Sequence, residues 1–130
     1  MQSTLHASGH ARKLEARSEA WGAMCWLIED ELVPGAGVSV ARMTINAESI
    51  SPTHRHPNCN ETIVLLSGNV TCIVDDQEYL IKAGDVVFVP RGSAHAIRNE
   101  TNQSVVAMLS YSAGARVYEA IKTSEYGNVR

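Results

Sequence analysis

Between Trp21 and Ser112 short apolar runs alternate with turn-forming residues. This pattern restricts the possible fold classes more than any other feature of the sequence. The runs are rich in Val, Ile and Thr, which favour strands, and they are separated by Gly, Pro, Asn and Asp, which favour turns. About eight to ten short strands in close succession are typical of an antiparallel sandwich or barrel. The sequence therefore predicts a single all-β domain.

The segment Gly37–Ile45 is a predicted strand, because β-branched residues recur along it in a roughly alternating pattern. Successive side chains of a strand point to opposite faces of the sheet, so its residues divide into two sets. Either set could face inward on this pattern. The sets are Val38, Val40, Arg42 and Thr44 on one face, and Ser39, Ala41, Met43 and Ile45 on the other.

Turn signals indicate where the strands reverse. The tripeptide Ser67-Gly68-Asn69 predicts a tight hairpin in which Gly68 has a positive φ, because glycine adopts that conformation freely. Asp75-Asp76-Gln77 predicts a second hairpin. Pro90 has no backbone N–H to donate, so the strand that begins at Val86 is expected to end there.

The segment Ser51–Gly68 carries a pair of histidines, His54 and His56, followed by Glu61. Residues two apart in a strand point to the same face, so both imidazoles are expected to project together. A run of turn formers, Pro57–Asn60, would fold the chain back and bring Glu61 beside them. Neutral imidazoles together with a carboxylate suit a divalent first-row metal ion.

A third histidine, His95, lies in Gly84–Asn99, after a strand and a Pro-x-Gly turn. Together the two segments read H-x-H-x4-E-x6-G and G-x5-P-x-G-x2-H-x3-N, with every position filled. These residue types at these spacings resemble the pair of motifs that defines the cupin superfamily. The resemblance extends from Gly37 to Ser112.

The resemblance implies an antiparallel double-stranded β-helix, the cupin or jelly-roll barrel, with one divalent metal ion inside it. Carried over by position, it implies that His54, His56, Glu61 and His95 are the metal ligands. Similar families use iron or manganese most often, so these two ions are favoured. Nickel, zinc and copper are the alternatives, because three imidazoles and a carboxylate suit all of these metals.

Composition restricts the partners and the compartment. A chain of 130 residues with 45% hydrophobic residues suits one globular domain, and a net charge of −3 without a Lys/Arg cluster argues against nucleic-acid or anionic-membrane binding. No apolar run approaches the roughly 20 residues that span a bilayer. The N-terminal residues lack the apolar core of a secretory signal, so we expect a cytoplasmic protein in which Cys25, Cys59 and Cys72 are reduced.

The predicted domain organisation is a polar N-terminal arm over residues 1–20, the barrel over 21–112, and a C-terminal helix and tail over 113–130. The arm could include a first strand around Ala11–Ala16. No linker or internal repeat divides the chain, so these parts are expected to form a single domain.

The short C-terminal helix is predicted over Ala113–Thr123, because Val117, Ala120 and Ile121 recur at helical spacing. It is expected to pack on the outside of the barrel. A small antiparallel barrel with a polar arm and these apolar residues favours a two-fold homodimer. The resemblance to cupins, which often pair through sheet edges and arms, implies the same assembly.

Outside the ligand set, Arg42 is a candidate to bind a substrate carboxylate with its guanidinium, and an exposed strand arginine is the alternative.

Cys59 has no basic residue beside it, so we interpret it as a loop thiol and not as a nucleophile. Asn58 and Asn60 are expected to shape the turn or to hydrogen-bond a metal ligand. Asn99 is expected to end a strand. The tyrosines interpreted as packing residues are Tyr79, Tyr111 and Tyr118.

Three classes of function are compatible with these features. The chain could be a metal-dependent enzyme acting on a small polar oxygenated substrate, as an oxygenase, isomerase, lyase or decarboxylase. It could instead be a non-catalytic binding protein for a sugar or acid, or a structural domain with an incidental metal. The complete ligand set favours an enzyme, because a six-coordinate ion with four protein ligands keeps positions open for substrate. The fold hosts too many reactions to indicate which one is catalysed.

Overall fold

The computed structural model describes residues 3–5 and 11–122, and in this part of the chain every regular element is a β-strand. The strands are β1 (Ser3–Leu5), β2 (Ala11–Lys13), β3 (Arg17–Glu19), β4 (Gly22–Ile28), β5 (Ser39–Ile45), β6 (Ser49–Ile50), β7 (His54–Arg55), β8 (Glu61–Leu65), β9 (Asn69–Val74), β10 (Gln77–Lys82), β11 (Val86–Val89), β12 (His95–Asn99), β13 (Val105–Tyr111) and β14 (Glu119–Ala120). The predicted all-β fold is confirmed. With no helix in these ranges, none is long and apolar enough to cross a membrane.

Two six-stranded antiparallel sheets form the barrel. One has the order β10-β9-β12-β7-β14, with β6 also pairing with β12, and the other has the order β11-β8-β13-β5-β4-β3. Strands β1 and β2 form a separate two-stranded sheet. This arrangement is the predicted jelly-roll barrel, and each of the two motif segments contributes a strand to both sheets: β7 and β12 are neighbours in one sheet, and β8 and β11 are neighbours in the other.

The core lies between the two sheets, because the central strands, among them β5, β8 and β13, present one largely apolar face to the other sheet. On β8 the buried residues alternate with half-buried ones, and Glu61, Ile63 and Leu65 share the inner face. On β5 the inner face consists of Ser39, Ala41, Met43 and Ile45. The structure thereby decides between the two faces of β5 that the alternating sequence left open.

The chain turns at both predicted positions, but only Asp75-Asp76 closes a hairpin, because the turn at Ser67-Gly68-Asn69 joins β8 to β9, which lie in different sheets. Asp75 and Asp76 both have positive φ, at 46° and 71°, as expected for a two-residue hairpin between β9 and β10. Gly68 has φ of 74°, and a Cβ at this position would lie 2.6 Å from a methyl carbon of Val105. Both the backbone conformation and the close approach of β13 therefore require glycine at position 68.

The predicted C-terminal helix is wrong for the described residues 113–122, which we call the C-terminal strap. Its backbone groups bond to other segments and not to one another: Val117 N–H donates to Asn58 Oδ1 at 2.8 Å, and Ile121 N–H donates to the carbonyl of Thr53 at 3.0 Å. The strap ends in β14, which pairs with β7. The apolar residues at helical spacing thus did not form a helix because longer-range hydrogen bonds took up the backbone.

The buried side chain of Asn99 connects three chain segments at the end of β12. Its amide Nδ2 donates to the carbonyls of Ile45, Asn46 and Gln103 at 3.3, 3.0 and 2.8 Å. The residue ends a strand, as the sequence predicted, and it also satisfies backbone carbonyls that would otherwise lie unpaired.

We expect Asn99→Ala to lower the free energy of unfolding by about 1–3 kcal/mol, because it leaves buried carbonyls without a donor. Urea unfolding followed by circular dichroism measures the change. The matched control is Asn102→Ala, an exposed asparagine in the next loop, which should change stability by less than about 0.5 kcal/mol. Equal stabilities of the two variants would contradict this role for Asn99.

Candidate metal centre

Two of the predicted ligands face each other across a pair of strands. His54 begins β7 and His95 begins β12, and the two residues are direct partners in the antiparallel register. Directly opposed side chains lie close together on one face of a sheet. The two imidazole centroids are accordingly 4.3 Å apart.

The other two ligands complete the cluster from different elements. His56 lies in the loop after β7, and Glu61 begins β8 in the facing sheet. The donor atoms of His54, His56, Glu61 and His95 all lie within 4.8 Å of one another. The structure thus brings together all four residues that the two motifs predicted as ligands.

Each histidine of the cluster is oriented by a hydrogen bond from Nδ1 to a backbone carbonyl. The acceptors are Pro52 for His54 at 2.8 Å, Val117 for His56 at 2.9 Å, and Ser93 for His95 at 3.0 Å. A carbonyl oxygen can only accept, so Nδ1 carries the proton in all three rings. The Nε2 atoms of the neutral rings are therefore lone-pair donors, which is the form that coordinates a metal.

The short distances between the donor atoms of the cluster indicate that a cation belongs between them. Oε1 of Glu61 lies 2.7 Å from Nε2 of His95 and 3.2 Å from Nε2 of His56. With Nδ1 protonated in both rings, a nitrogen lone pair would face a carboxylate lone pair unless a proton or a metal ion lies between them. The chemistry of this donor set therefore fits a bound divalent ion.

The electrostatics of the cluster follow from burial and mutual contact. Burial disfavours the charged carboxylate of Glu61, but when no metal ion is bound, protons on Nε2 of His56 and His95 bond to that carboxylate, and these hydrogen bonds outweigh burial and hold its pKa well below the ordinary value. Burial, and then the nearby His95, lowers the pKa of His54 to about 3. Burial also opposes protonation of His95, but the bond to Glu61 prevails and raises the pKa of His95. Charge is thus concentrated on Glu61 and its contact with His95, while His54 stays neutral.

A cavity of about 340 Å³ opens beside the cluster. Much of its wall is apolar, formed by residues that include Met24, Met43, Ile97 and Leu109. The cavity suits a small molecule with an apolar side and a polar end directed at the cluster.

Two tyrosines that the sequence suggested were packing residues lie at the site. Tyr118 of the C-terminal strap stacks on the ring of His54, with centroids 4.5 Å apart and an interplanar angle of 17°. Tyr111 lies against His56 with centroids 5.1 Å apart, and burial and the charge of Glu61 raise its pKa well above the ordinary value. Tyr111 is therefore a neutral phenol beside the carboxylate. Tyr79, by contrast, is exposed on β10.

Arg116 is a site residue that the sequence analysis missed. Its Nη1 lies 3.5 Å from Nε2 of His56, and its side chain lines the cavity. No motif spacing points to it, because it lies in the strap that the sequence predicted to be helical. Only the long-range hydrogen bonds of the strap bring it to the cluster.

The candidate substrate-binding residue Arg42 requires a correction. Arg42 is exposed on β5, whereas its neighbours Ala41 and Met43 are buried, so its side chain points away from the barrel interior. It lines a separate surface depression with residues that include Leu14 and Thr44. The alternative interpretation, an exposed strand arginine, agrees with the structure.

The asparagines of the first motif link the cluster to its surroundings. Asn58 donates from Nδ2 to the carbonyl of Ala115 at 3.0 Å and accepts from Val117 N–H, which fixes the strap whose carbonyl holds His56. Asn60 Oδ1 accepts from the backbone N–H of Arg91 at 2.9 Å. Both residues therefore shape the loops around the ligands, as the sequence predicted.

The three cysteines are free and buried, and Cys59 is 1% exposed within the apolar core. Burial raises the pKa of Cys59, and burial followed by the charge of Glu61 raises that of Cys72 to about 12. The thiols of Cys59 and Cys72 are therefore protonated packing residues, which agrees with the interpretation of Cys59 as a loop thiol and not a nucleophile.

Comparison with known proteins identifies the family. The model of the cupin domain matches residues 41–111. The chain is 29% identical over 86 residues to an auxin-binding protein, ABP19b, of Prunus persica, covering 62% of this chain and 41% of that protein. It is 30% identical over 86 residues to germin-like protein 3-1 of Oryza sativa subsp. japonica, covering 60% and 38%. The chain thus spans about two fifths of the length of these relatives.

Among solved structures, the chain is similar to one from work on the Mn(II) centres of oxalate decarboxylase from Bacillus subtilis. The TM-score is 0.75 at 20% identity, over 82% of this chain and 30% of the other. That likeness concerns the fold. The chain belongs to the cupin domain family, and the resemblance carried by the two histidine motifs is confirmed.

We expect Asn58→Ala to weaken divalent metal binding by about 10- to 100-fold, because it frees the strap that orients His56 through the Val117 carbonyl. A competition titration with a chromophoric chelator measures the affinity for Mn(II). Asn102→Ala again serves as the control and should leave the affinity unchanged. Metal affinity unaltered by Asn58→Ala would show that the strap does not support the cluster.

Proposed function

We propose that the chain is a mononuclear metal enzyme that acts on a small oxygenated substrate in the barrel cavity. The observation that carries this proposal is the convergence of the Nε2 atoms of His54, His56 and His95 and the carboxylate of Glu61, with all three Nδ1 atoms occupied by carbonyls. Such a site presents ligands for a metal from one side and faces a cavity on the other.

A divalent ion held by these four residues would act as a Lewis acid toward a substrate oxygen in its open positions. Manganese or iron is the proposed ion, and the similarity to the fold of a manganese-containing decarboxylase supports manganese. Nickel, zinc and copper remain alternatives on ligand chemistry. The surrounding residues would orient the substrate, and the neutral phenol of Tyr111 offers a hydrogen-bond donor beside Glu61.

A complete ligand set makes the metal dependence testable. Loaded without oxygen, the wild-type protein should bind one Fe(II) per chain, and His95→Ala and Glu61→Gln should lose it while keeping the circular dichroism spectrum of a β-protein. The fold should survive because the apolar core supplies most of its stability. The control Glu15→Gln, at an exposed position, should bind iron as the wild type does.

An enzyme also needs a position on the ion that other ligands can enter. Nitric oxide added to the anaerobic Fe(II) protein should therefore give the EPR spectrum of an iron–nitrosyl complex. Stoichiometric iron with no nitrosyl signal would indicate a closed, structural centre and would count against an enzyme.

A non-catalytic binding protein is the second candidate, and the similarity to a protein named as auxin-binding favours it. The two candidates differ in whether a bound compound is converted. Mass spectrometry of compounds incubated with the metal-loaded protein separates them: binding with full recovery of the compound supports the second candidate, and a changed mass supports the first.

We also propose that the protein is a homodimer, formed through the open edges of the two sheets. Strands β10 and β11 lie at those edges, and together they flank one groove. Exposed apolar side chains line it, namely Tyr79, Leu80, Val86 and Phe88. An exposed apolar edge is a liability unless another chain covers it, and a second copy presents the same edges in a two-fold arrangement.

The dimer was expected from the polar arm together with the apolar residues Val117 and Ile121, but Ile121 is buried within its own chain. Light scattering at micromolar concentration should give twice the chain mass of 14.1 kDa, and Leu80→Glu combined with Phe88→Glu should give the monomer. A wild-type mass of 14.1 kDa would refute the dimer.

A further inference from the structure

We propose that Arg116 binds the carboxylate of the substrate, and that the substrate is a short acid with an oxygen on the carbon next to its carboxylate. The inference rests on the proposed metal site and names the substrate class of that site. It is based on three features of the Arg116 side chain: its contacts with aromatic rings, the absence of an ion pair with a described carboxylate, and its short distance from His56.

Arg116 is held in place by aromatic rings. Its guanidinium carbon lies 4.8 Å from the ring centroid of Trp26 and 5.2 Å from those of Tyr111 and Tyr118. Contacts between a guanidinium and aromatic faces are favourable and restrict the side chain to few rotamers. The cation is therefore fixed at the cavity before any ligand binds.

The guanidinium has no carboxylate partner in the described part of the chain. The arginine ion pairs there are made by Arg55 and Arg98, and no carboxylate of residues 11–122 lies within 4.0 Å of Arg116. Glu19, an exposed residue, lines the same cavity without forming an ion pair with it. Apart from the 3.5 Å contact of Nη1 with Nε2 of His56, the forked donor set that matches a carboxylate is thus free to bind a ligand.

The charges of the site favour an anion between Arg116 and the cluster. A divalent ion, the carboxylate of Glu61 and the guanidinium together leave an excess of positive charge in a cavity whose wall is mostly apolar. Unbalanced charge is costly where water is excluded. A small acid that contacts both the ion and Arg116 would neutralise part of it, whereas a neutral sugar would not.

The short separation between the two groups limits the length of the ligand. Nη1 of Arg116 lies 3.5 Å from Nε2 of His56, so a carboxylate on Arg116 lies next to the converging donor atoms. A second oxygen on the same or the adjacent carbon is then placed to reach an ion held there. The remaining cavity wall is largely apolar, which leaves room for a small hydrocarbon part and offers few partners for further hydroxyl groups.

The probes that test the inference are glycolate, the smallest such acid, and glycolamide, its neutral isostere. Isothermal titration calorimetry with the Mn(II)-loaded protein should show glycolate binding at least tenfold more tightly than glycolamide. Arg116→Met should weaken glycolate binding tenfold or more and leave glycolamide binding and metal content unchanged. The matched control is Arg42→Met, which removes an exposed arginine on the outer face and should bind glycolate as the wild type does.

Equal affinity of wild type and Arg116→Met for glycolate, at equal metal content, would overturn the inference. If Arg116→Met does not fold, Arg116→Lys keeps the charge and should bind glycolate with reduced affinity, and Arg116→Gln should bind it no better than glycolamide. Binding by Arg116→Gln at the wild-type level would again refute the assignment.

Failure of the metal site is distinguishable from failure of this inference. If the wild type takes up no Mn(II), the proposed function fails, and the metal-free protein is titrated with glycolate while tryptophan fluorescence reports on Trp26 beside Arg116. Glycolate binding that Arg116→Met abolishes would still support Arg116 as the carboxylate site. No binding by the metal-free wild type in that case would overturn it.

Discussion

The carboxylate of Glu61 is the constraint around which the rest of the barrel is arranged. It is 3% exposed and shares the inner face of β8 with Ile63 and Leu65, in a setting where an isolated charge is strongly unfavourable. Its oxygen lies 2.7 Å from Nε2 of His95 in the facing sheet and 3.2 Å from Nε2 of His56 in the loop after β7, and a proton or a metal ion between these atoms satisfies it. The buried carboxylate is therefore stable only where the histidines of the two motifs surround it, and a bound metal ion would stabilise it further.

The three histidines direct Nε2 toward Glu61 because each Nδ1, on the opposite side of the ring, is hydrogen-bonded to a backbone carbonyl. Two of the carbonyls, those of Pro52 and Ser93, lie two residues before the histidines that they orient, so local chain geometry supplies them. The third, that of Val117, comes from the C-terminal strap and depends on Asn58. The cluster therefore combines two locally determined ligands with one whose orientation relies on a contact 61 residues away in sequence.

The difference between local and distant contacts also explains how far the sequence could predict the molecule. The strands, the hairpin turns and the four clustered residues follow from alternation, turn chemistry and fixed motif spacing, all of which act over short stretches. The conformation of the C-terminal strap could not be predicted in this way, because the spacing of Val117 and Ile121 is also compatible with a helix. Only the pairing of β14 with β7 decides against the helix. Arg116 was missed for the same reason. The sequence left open whether Arg42 faces the cavity, because both faces of β5 mix polar and apolar residues, and only packing decides which one is buried.

The central claim is that one divalent ion is held by His54, His56, Glu61 and His95 beside a cavity that admits a small molecule. Crystals of the protein grown with Mn(II) and measured at a wavelength of anomalous scattering test it most directly. The account predicts one strong anomalous peak per chain, in contact with all three Nε2 atoms and with a Glu61 oxygen at about 2.0–2.2 Å. A peak elsewhere, or an ordered cluster without a peak at saturating Mn(II), would contradict the account.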